Sequence, residues 1–310
     1  MRRSLAAFLL LAGCATAPLR PVPEALAPWT TTLRDSQPED AFAAVYKIGP
    51  RRLVFVAAKH ANRDDSLTFR LIRDAYASFR FEVVIAEGFA TSRGANPPTV
   101  LNYAMSSKPR PDGFVEEGET VPTVVGAQQE PANLIGGEPD DLAVKQSVLA
   151  AKLRESDLLG FYVLRSIPQW ISERKIADAA DVRLKPLVEA ELAKRRTALQ
   201  LPGSVLATHE DWTDWYRRLN GKPLGQDFDT EEVGPLADGR FATNRIAYAV
   251  SRARDAHLHR LIIDHLNAGK SVLVVFGASH LLIHRPALDA VLGKPCYVGT
   301  VLTQGVAVCG

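Results

Sequence analysis

The sequence predicts an α/β fold, with a central mixed, largely parallel sheet, flanking helices and a helical insertion. Residues 53–86 contain a strand, a helix and a second strand, the unit from which parallel sheets are built. A second wholly apolar strand, residues 272–276, lies near the other end of the chain. Between them, residues 140–219 are rich in Ala, Leu, Lys, Arg and Glu, a composition typical of helices. We therefore expect both ends of the chain to build one sheet.

The first half of the chain predicts these elements in order. Residues 43–48 and 53–58 flank the turn Gly49-Pro50-Arg51, which predicts a hairpin. A helix follows, with Asp65 or Ser66 as its cap and apolar residues at helical spacing. Residues 83–86 predict a buried strand and residues 133–135 a shorter one. Between these strands, residues 91–122 carry five prolines and three glycines, which predicts a long loop with a function.

The second half predicts several helices, broken at prolines 168, 186 and 202, and then a loop at residues 221–239. A long helix over residues 244–268 leads back to the strand 272–276, a short helix at 286–292 and a terminal hairpin at 297–308. The expected organisation is therefore an α/β core from residues 42–139 and 240–310, with residues 140–239 as a helical cap.

Composition and charge describe an ordinary globular chain without a polyanion partner. Of the 310 residues, 46% are hydrophobic and 23% charged, with a formal net charge of +2. Arg2 and Arg3 are the only charged side chains in residues 1–13, so residues 14–310 are formally neutral. A protein that binds nucleic acid by neutralising many phosphates is therefore not expected.

The N-terminus predicts an export signal. Arg2 and Arg3 precede an apolar run at residues 5–11 that is too short to span a bilayer as a helix. The following Leu11-Ala12-Gly13-Cys14 resembles the lipobox of bacterial lipoproteins, which implies a signal peptide of residues 1–13 and a lipid on Cys14. Ala15 in the next position implies the outer membrane, facing the periplasm. The alternative is an ordinary cleaved signal in which Cys14 is incidental. Residues 14–41 are expected to form a tether, extended as far as Pro28.

The two remaining cysteines, Cys296 and Cys309, flank the predicted terminal hairpin, which would bring them close together. Outside the cytoplasm such a pair can be oxidised, so a disulfide is expected. Two free buried thiols are the alternative.

Four polar residues follow apolar strands and could share one site. His60 and His280 come after the strands 53–58 and 272–276, and Glu87 and Glu138 end the strands 83–86 and 133–135. Ligands bind at the carboxyl ends of parallel strands, where residues distant in sequence converge. Two imidazoles with one or two carboxylates match the ligands of a catalytic divalent metal. A carboxylate that does not bind the metal is a candidate general base.

The same residues carry a resemblance to a family. A strand leading into a turn with His60, a strand ending in Glu87, and Gly277-Ala278-Ser279-His280 after the last apolar strand resemble the Tiki/TraB/GumN superfamily, related to erythromycin esterases and ChaN lipoproteins. Ala57 stands where the family usually has glycine. The resemblance implies that His60, Glu87 and His280 bind Mn²⁺, Co²⁺, Zn²⁺ or Fe²⁺, that Glu138 is an acid/base or further ligand, and that Arg254, followed by Asp255, positions substrate.

The function implied by this resemblance is a lipid-anchored, metal-dependent hydrolase of a peptide or ester bond. The alternative is an envelope lipoprotein without catalysis, or one that binds haem as ChaN does. The other histidines fit ordinary packing, and the acidic run at residues 116–119 is expected to be a solvated loop. No nucleotide-binding glycine loop or Gly-x-Ser-x-Gly motif is present in the sequence.

Overall fold

A six-stranded sheet forms the centre of the computed structural model, which describes residues 18–60 and 62–309. The strands, in the spatial order β4-β3-β5-β2-β1-β6, are β1 Phe42–Ile48, β2 Arg51–Ala58, β3 Val83–Ala90, β4 Asn133–Glu138, β5 Val272–Gly277 and β6 Tyr297–Gly299. Strands β4, β3, β5 and β2 are parallel to one another, and β1 runs antiparallel to both of its neighbours. The predicted α/β class with a mixed, largely parallel sheet is confirmed.

The rest of the described chain is mainly helical. Its helices are α1 Thr31–Asp35, α2 Leu67–Ser78, α3 Pro98–Ser106, α4 Thr120–Gln129, α5 Asp141–Ala150, α6 Glu155–Leu164, α7 Ile167–Ser172, α8 Leu184–Ala198, α9 His209–Asn220, α10 Ala242–Asn267, α11 Ala278–Leu292 and α12 Leu302–Cys309. None of the helices in the described part of the chain is both long enough and apolar enough to cross a membrane.

The central strands are buried on both faces, which explains their unbroken apolar sequence. All six residues of β5 are buried, between β3 and β2. On one face the sheet packs against α2, α4 and α12, and on the other against α10 and α11. The hairpin of β1 and β2 turns at Gly49, whose φ of 60° is accessible to glycine at little cost. Ser66 caps α2 by accepting a hydrogen bond from the Phe69 amide.

The helices α5 to α9 have a core of their own. Trp212, Trp215 and Tyr216 of α9 are fully buried there, and the indole of Trp215 covers Gly160 of α6. A single long helix, α10, joins this core to the sheet. Its first half packs into the helical core and its second half against the sheet.

Three expectations about local structure are wrong. The predicted loop 91–122 contains α3 and the start of α4. The predicted short helix 286–292 begins earlier, at Ala278, because Pro286 lies within α11 without ending it. In place of the predicted terminal hairpin, the chain forms β6 and then α12. There Leu302, Gly305 and Cys309 are the buried residues, and their spacing is that of a helix.

The described part of the predicted tether, residues 18–41, is folded onto the domain. The prediction of an extended tether is therefore wrong for these residues. Residues Pro23–Ala25 form one 3-10 turn and α1 follows. Leu26 and Trp29 are buried against α11, and Arg252 of α10 donates to the carbonyl oxygen of Leu26. Cys14 and the predicted signal peptide lie outside the described residues.

The predicted pairing of the two C-terminal cysteines is present. Cys296 and Cys309 form a disulfide that links the start of β6 to the end of α12. The pairing therefore holds although the intervening residues form a strand and a helix rather than a hairpin.

Candidate functional site

Two histidines predicted to converge stand at the ends of adjacent strands. Ala58 of β2 pairs with Gly277 of β5, and His60 and His280 follow these two residues. Gly277 occupies the space between the site residues. A Cβ at this position would lie 3.2 Å from Nε2 of His60 and 3.5 Å from Oε2 of Glu87. The absence of a side chain at Gly277 therefore leaves room for a small ligand among them.

Glu87 is the centre of this group. Its Oε2 accepts the Gly277 amide N–H at 2.8 Å, and its Oε1 accepts from Arg254 at 3.0 Å. The same Oε1 lies 3.7 Å from Nε2 of His280. Burial by itself raises the pKa of Glu87, but His280, Arg254 and the Gly277 amide outweigh it and hold the pKa far below its ordinary value. The carboxylate is therefore ionised at neutral pH.

His280 lies in the first turn of α11, buried against Asp255. Its Nδ1 is 2.6 Å from Oδ1 of Asp255, whose other oxygen accepts the Ser251 hydroxyl at 3.2 Å. Burial alone lowers the pKa of His280, but the charge and hydrogen bond of Asp255, with Glu87 beyond, raise it to about 10. Asp255 thus fixes the ring so that Nε2 faces Glu87.

His60 is held in the same way from another element. Its Nδ1 is 2.5 Å from Oε1 of Glu119, the residue before α4. This hydrogen bond raises the pKa of His60 above its ordinary value. With 69% of its side chain exposed, His60 is the member of the group that a substrate in solvent can reach.

Two carboxylate–imidazole pairs therefore face one carboxylate. Glu119 and Asp255 each bind an Nδ1, which leaves the Nε2 atoms of His60 and His280 directed towards the space beside Gly277 and Glu87. This outer-sphere arrangement is the one that orients histidines for metal binding or proton transfer.

Arg254 and Glu138 are joined to each other. Nε and Nη2 of Arg254 donate to the two oxygens of Glu138 at 2.6 and 2.5 Å, and Nη2 also donates to Glu87. Burial lowers the pKa of Arg254, but the two glutamates outweigh it and raise the pKa. Both predicted catalytic residues thus lie at the site, where they hold Glu87 in place. Their predicted direct roles, for Glu138 in proton transfer and for Arg254 in substrate binding, stay predictions.

The predicted metal would have to bind among the residues of this site. Within residues 18–60 and 62–309, no three His, Cys, Asp or Glu side chains are arranged to hold a metal ion as they stand. The donors nevertheless fit a divalent ion in kind, because His60, His280 and Glu87 offer two imidazole nitrogens and carboxylate oxygens. The space that a Cβ on Gly277 would fill lies among these donors.

Sequence reasoning missed two residues of the site. Glu119 was expected to be part of a solvated loop, but it binds His60 and is mostly buried. No local pattern marks it, because it reaches the site through the fold of residues 91–122. Asp255 was noted only as the neighbour of Arg254. Its signal in the sequence is its place on the buried face of a helix, three residues before Leu258 and seven before Ile262.

Two cavities meet at Glu87. One, of about 450 Å³, runs between Glu138, Tyr162 and Arg165. The other, of about 280 Å³, lies against Val100, Ala104 and Val121 of α3 and α4. Glu87 lines both, so a ligand bound at the site has two cavities beside it, of which the smaller has the more apolar lining.

Comparisons of this chain with protein-family models, with curated proteins and with solved structures find no match.

Proposed function

We propose that this protein hydrolyses a peptide or ester bond at the site formed by His60, Glu87 and His280. The observation that supports it is the pair of histidines whose Nδ1 atoms are fixed by Glu119 and Asp255 at 2.5 and 2.6 Å. Solvated surface histidines seldom have such partners, whereas hydrolytic sites need imidazoles held in one orientation. The resemblance to the Tiki/TraB/GumN superfamily suggests the same reaction class.

In this proposal His60, Glu87 and His280 would hold a divalent metal ion. Such an ion, when bound, lowers the pKa of water and polarises a carbonyl oxygen. The chain supplies orientation. Glu119 and Asp255 bind the two Nδ1 atoms and direct each Nε2 towards the site, where a bound ion would take the place of an Nε2 proton, and Arg254, fixed by Glu138, holds Glu87. His60 is the exposed member and stands where substrate and water enter.

The test measures metal binding and hydrolysis on the same purified chain. Calorimetry with Mn²⁺, Co²⁺, Zn²⁺ and, without oxygen, Fe²⁺ is combined with 4-nitrophenyl esters and a fluorogenic peptide library. We expect His280→Ala to abolish both signals and Asp255→Asn to weaken metal binding about 10- to 100-fold through lost orientation. His265→Ala, near the end of α10 and outside the site, is the matched control. Wild-type protein that binds none of the four ions, with hydrolysis unchanged in His280→Ala, would overturn the proposal.

We also propose that Cys14 carries a lipid that anchors the protein to the outer membrane facing the periplasm. The support is the lipobox-like Leu11-Ala12-Gly13-Cys14. Mass spectrometry of the N-terminal peptide tests it. A diacylglyceryl mass on Cys14 and release of Cys14→Ser into the soluble fraction are expected. An unmodified Cys14 would contradict the anchor.

A further inference from the structure

The larger cavity beside Glu87 contains two cations without a carboxylate partner in the described part of the chain, Arg93 and Arg165. Its lining includes four arginines and four carboxylates, so it does not attract anions in general. Half of these charges are paired, since Arg254 binds Glu87 and Glu138, and Arg195 binds Glu191. Among the described residues, neither Arg93 nor Arg165 has a carboxylate within ion-pair distance. Arg93 also lines the smaller cavity beside Glu87, whereas Arg165 lies in the larger one with Arg195 and Arg254.

Two other guanidinium groups lie near Arg165. Its guanidinium lies 5.6 Å from the centre of the Tyr162 ring, and that of Arg195 lies 5.2 Å from the same centre. Arg165 and Arg254 together line this cavity and a second, smaller one behind His280. Partial burial, and then the charge of Arg254, lower the pKa of Arg165 below its ordinary value. The two cations thus repel each other across a space that an anion would make favourable.

The larger cavity connects Arg165 with the proposed reacting site. The cavity extends from Glu87 to Arg165, and Arg165 is exposed to solvent within it. The other cavity, lined by Val100, Ala104 and Val121, shares Glu87 and Arg93 with it. A molecule that occupies both cavities therefore meets Arg165 in one and the apolar side chains of Val100, Ala104 and Val121 in the other.

We infer that the site selects substrates that carry an oxyanion, a carboxylate or a phosphate, bound by Arg165, and an apolar portion that fills the cavity lined by Val100, Ala104 and Val121. This inference rests on the hydrolase proposed above. A guanidinium binds either oxyanion through two N–H groups, which fixes the orientation of the substrate as well as its affinity.

Binding is tested apart from catalysis. Calorimetry on the full chain compares N-octanoylglycine, the neutral N-octanoylglycinamide and octyl phosphate at one salt concentration. We expect at least one of the two anions to bind tenfold or more tightly than the amide, and the tighter one identifies the group recognised. In Arg165→Gln, the ratio of the anion affinity to the amide affinity is expected to fall to about one. Arg218→Gln, an exposed arginine on α9 outside the cavity, is expected to preserve it.

Catalysis is tested with two esters of equal acyl length, 4-nitrophenyl hydrogen glutarate and 4-nitrophenyl pentanoate. We expect wild-type kcat/KM to favour the charged ester, Arg165→Gln to bring the ratio of the two kcat/KM values to about one, and Arg218→Gln to preserve it. Equal binding of anions and amide, or a preference unaffected by Arg165→Gln, would overturn the inference and leave the hydrolase standing. Binding that depends on Arg165 without hydrolysis of any ester or peptide would support the anion site and overturn the hydrolase.

Discussion

At the scale of single residues, each side chain of the site is held in place by a second residue. Glu119 and Asp255 do not face the space beside Gly277, but each determines which nitrogen of a histidine does so. Glu87 is held likewise, by Arg254 and by the Gly277 amide. The geometry of the site therefore depends on residues from four separate parts of the chain.

Gly277→Ala tests the space at the centre of the site. The added methyl group would lie 3.2 Å from Nε2 of His60, which is tighter than ordinary contact. Since His60 is exposed, it can move aside, and we expect the free energy of unfolding to change by no more than about 1 kcal/mol. Hydrolysis and metal affinity are expected to fall at least tenfold.

The control for this change is Gly203→Ala, where a Cβ would meet no atom within 4 Å. Urea unfolding, calorimetry and ester hydrolysis are measured on both variants. Wild-type activity in Gly277→Ala would show that the space beside this glycine is not used.

His259 is expected to make the stability of the fold sensitive to acid. It is fully buried, its Nε2 accepts the amide N–H of Val22, and burial, with His284 and Arg260 nearby, lowers its pKa to about 4. In the unfolded chain the pKa is about 6.5, so the unfolded state binds the proton more tightly. The stability that this residue contributes is therefore complete above pH 6.5 and is lost as the pH falls towards 4, by about 3 kcal/mol.

His259→Gln keeps an acceptor for Val22 but does not titrate. We expect the variant to lose about 3 kcal/mol less than the wild type between pH 7 and pH 4, measured by urea unfolding across that range. Parallel pH profiles for the two proteins would exclude His259 as the group responsible.

At the scale of elements, the C-terminal segment is held by a covalent link. The disulfide between Cys296 and Cys309 closes a loop over a sequence separation of 13, and Leu302 and Cys309 are buried against the sheet. A loop of this length restricts the unfolded chain enough to stabilise the fold by about 3 kcal/mol.

We expect the double variant Cys296→Ala/Cys309→Ala to lose about 3 kcal/mol in urea unfolding. Wild-type protein in excess reductant is the control, because it loses the disulfide bond but keeps both sulfur atoms. We expect its midpoint of urea unfolding to fall by a similar amount. Identical midpoints for oxidised and reduced wild type would mean that the link contributes no stability.

The sequence predicted the central strands well and several helices less well. The strands β2 and β5 were recognisable because they are buried on both faces and carry apolar side chains at almost every position. Residues 297–308 were misassigned because a short Val-rich run fits a strand or a helix equally, and packing on the sheet decided the outcome. Likewise, α3 and α4 were missed because prolines at 97, 98 and 122 resemble loop signals but lie at or near helix starts.

At the scale of the whole molecule, the long helix α10 joins two hydrophobic cores. Ile246 and Val250 are part of the helical core, and Leu258 and Ile262 are part of the core beneath the sheet. Arg254 lies between these halves and reaches Glu87 and Glu138. The position of the site therefore depends on the continuity of this helix.

Because one helix belongs to both cores, we expect them to unfold together. Three of the four tryptophans, Trp170, Trp212 and Trp215, report on the helical core, whereas circular dichroism reports on the whole chain. The urea transitions measured by tryptophan fluorescence and by circular dichroism should therefore coincide. A fluorescence transition at clearly lower urea would show that the helical core unfolds on its own.

The sequence by itself determined the α/β class and the convergence of His60, Glu87 and His280, because apolar strands and the residues that end them are local features and parallel strands end at one edge. Only the tertiary structure decided what holds these residues and what surrounds them. Glu119 and Arg165 come from segments whose positions depend on packing between distant parts of the chain, for which a single sequence carries no local pattern. Helical spacing places Asp255 on a buried face, but only the fold pairs it with His280.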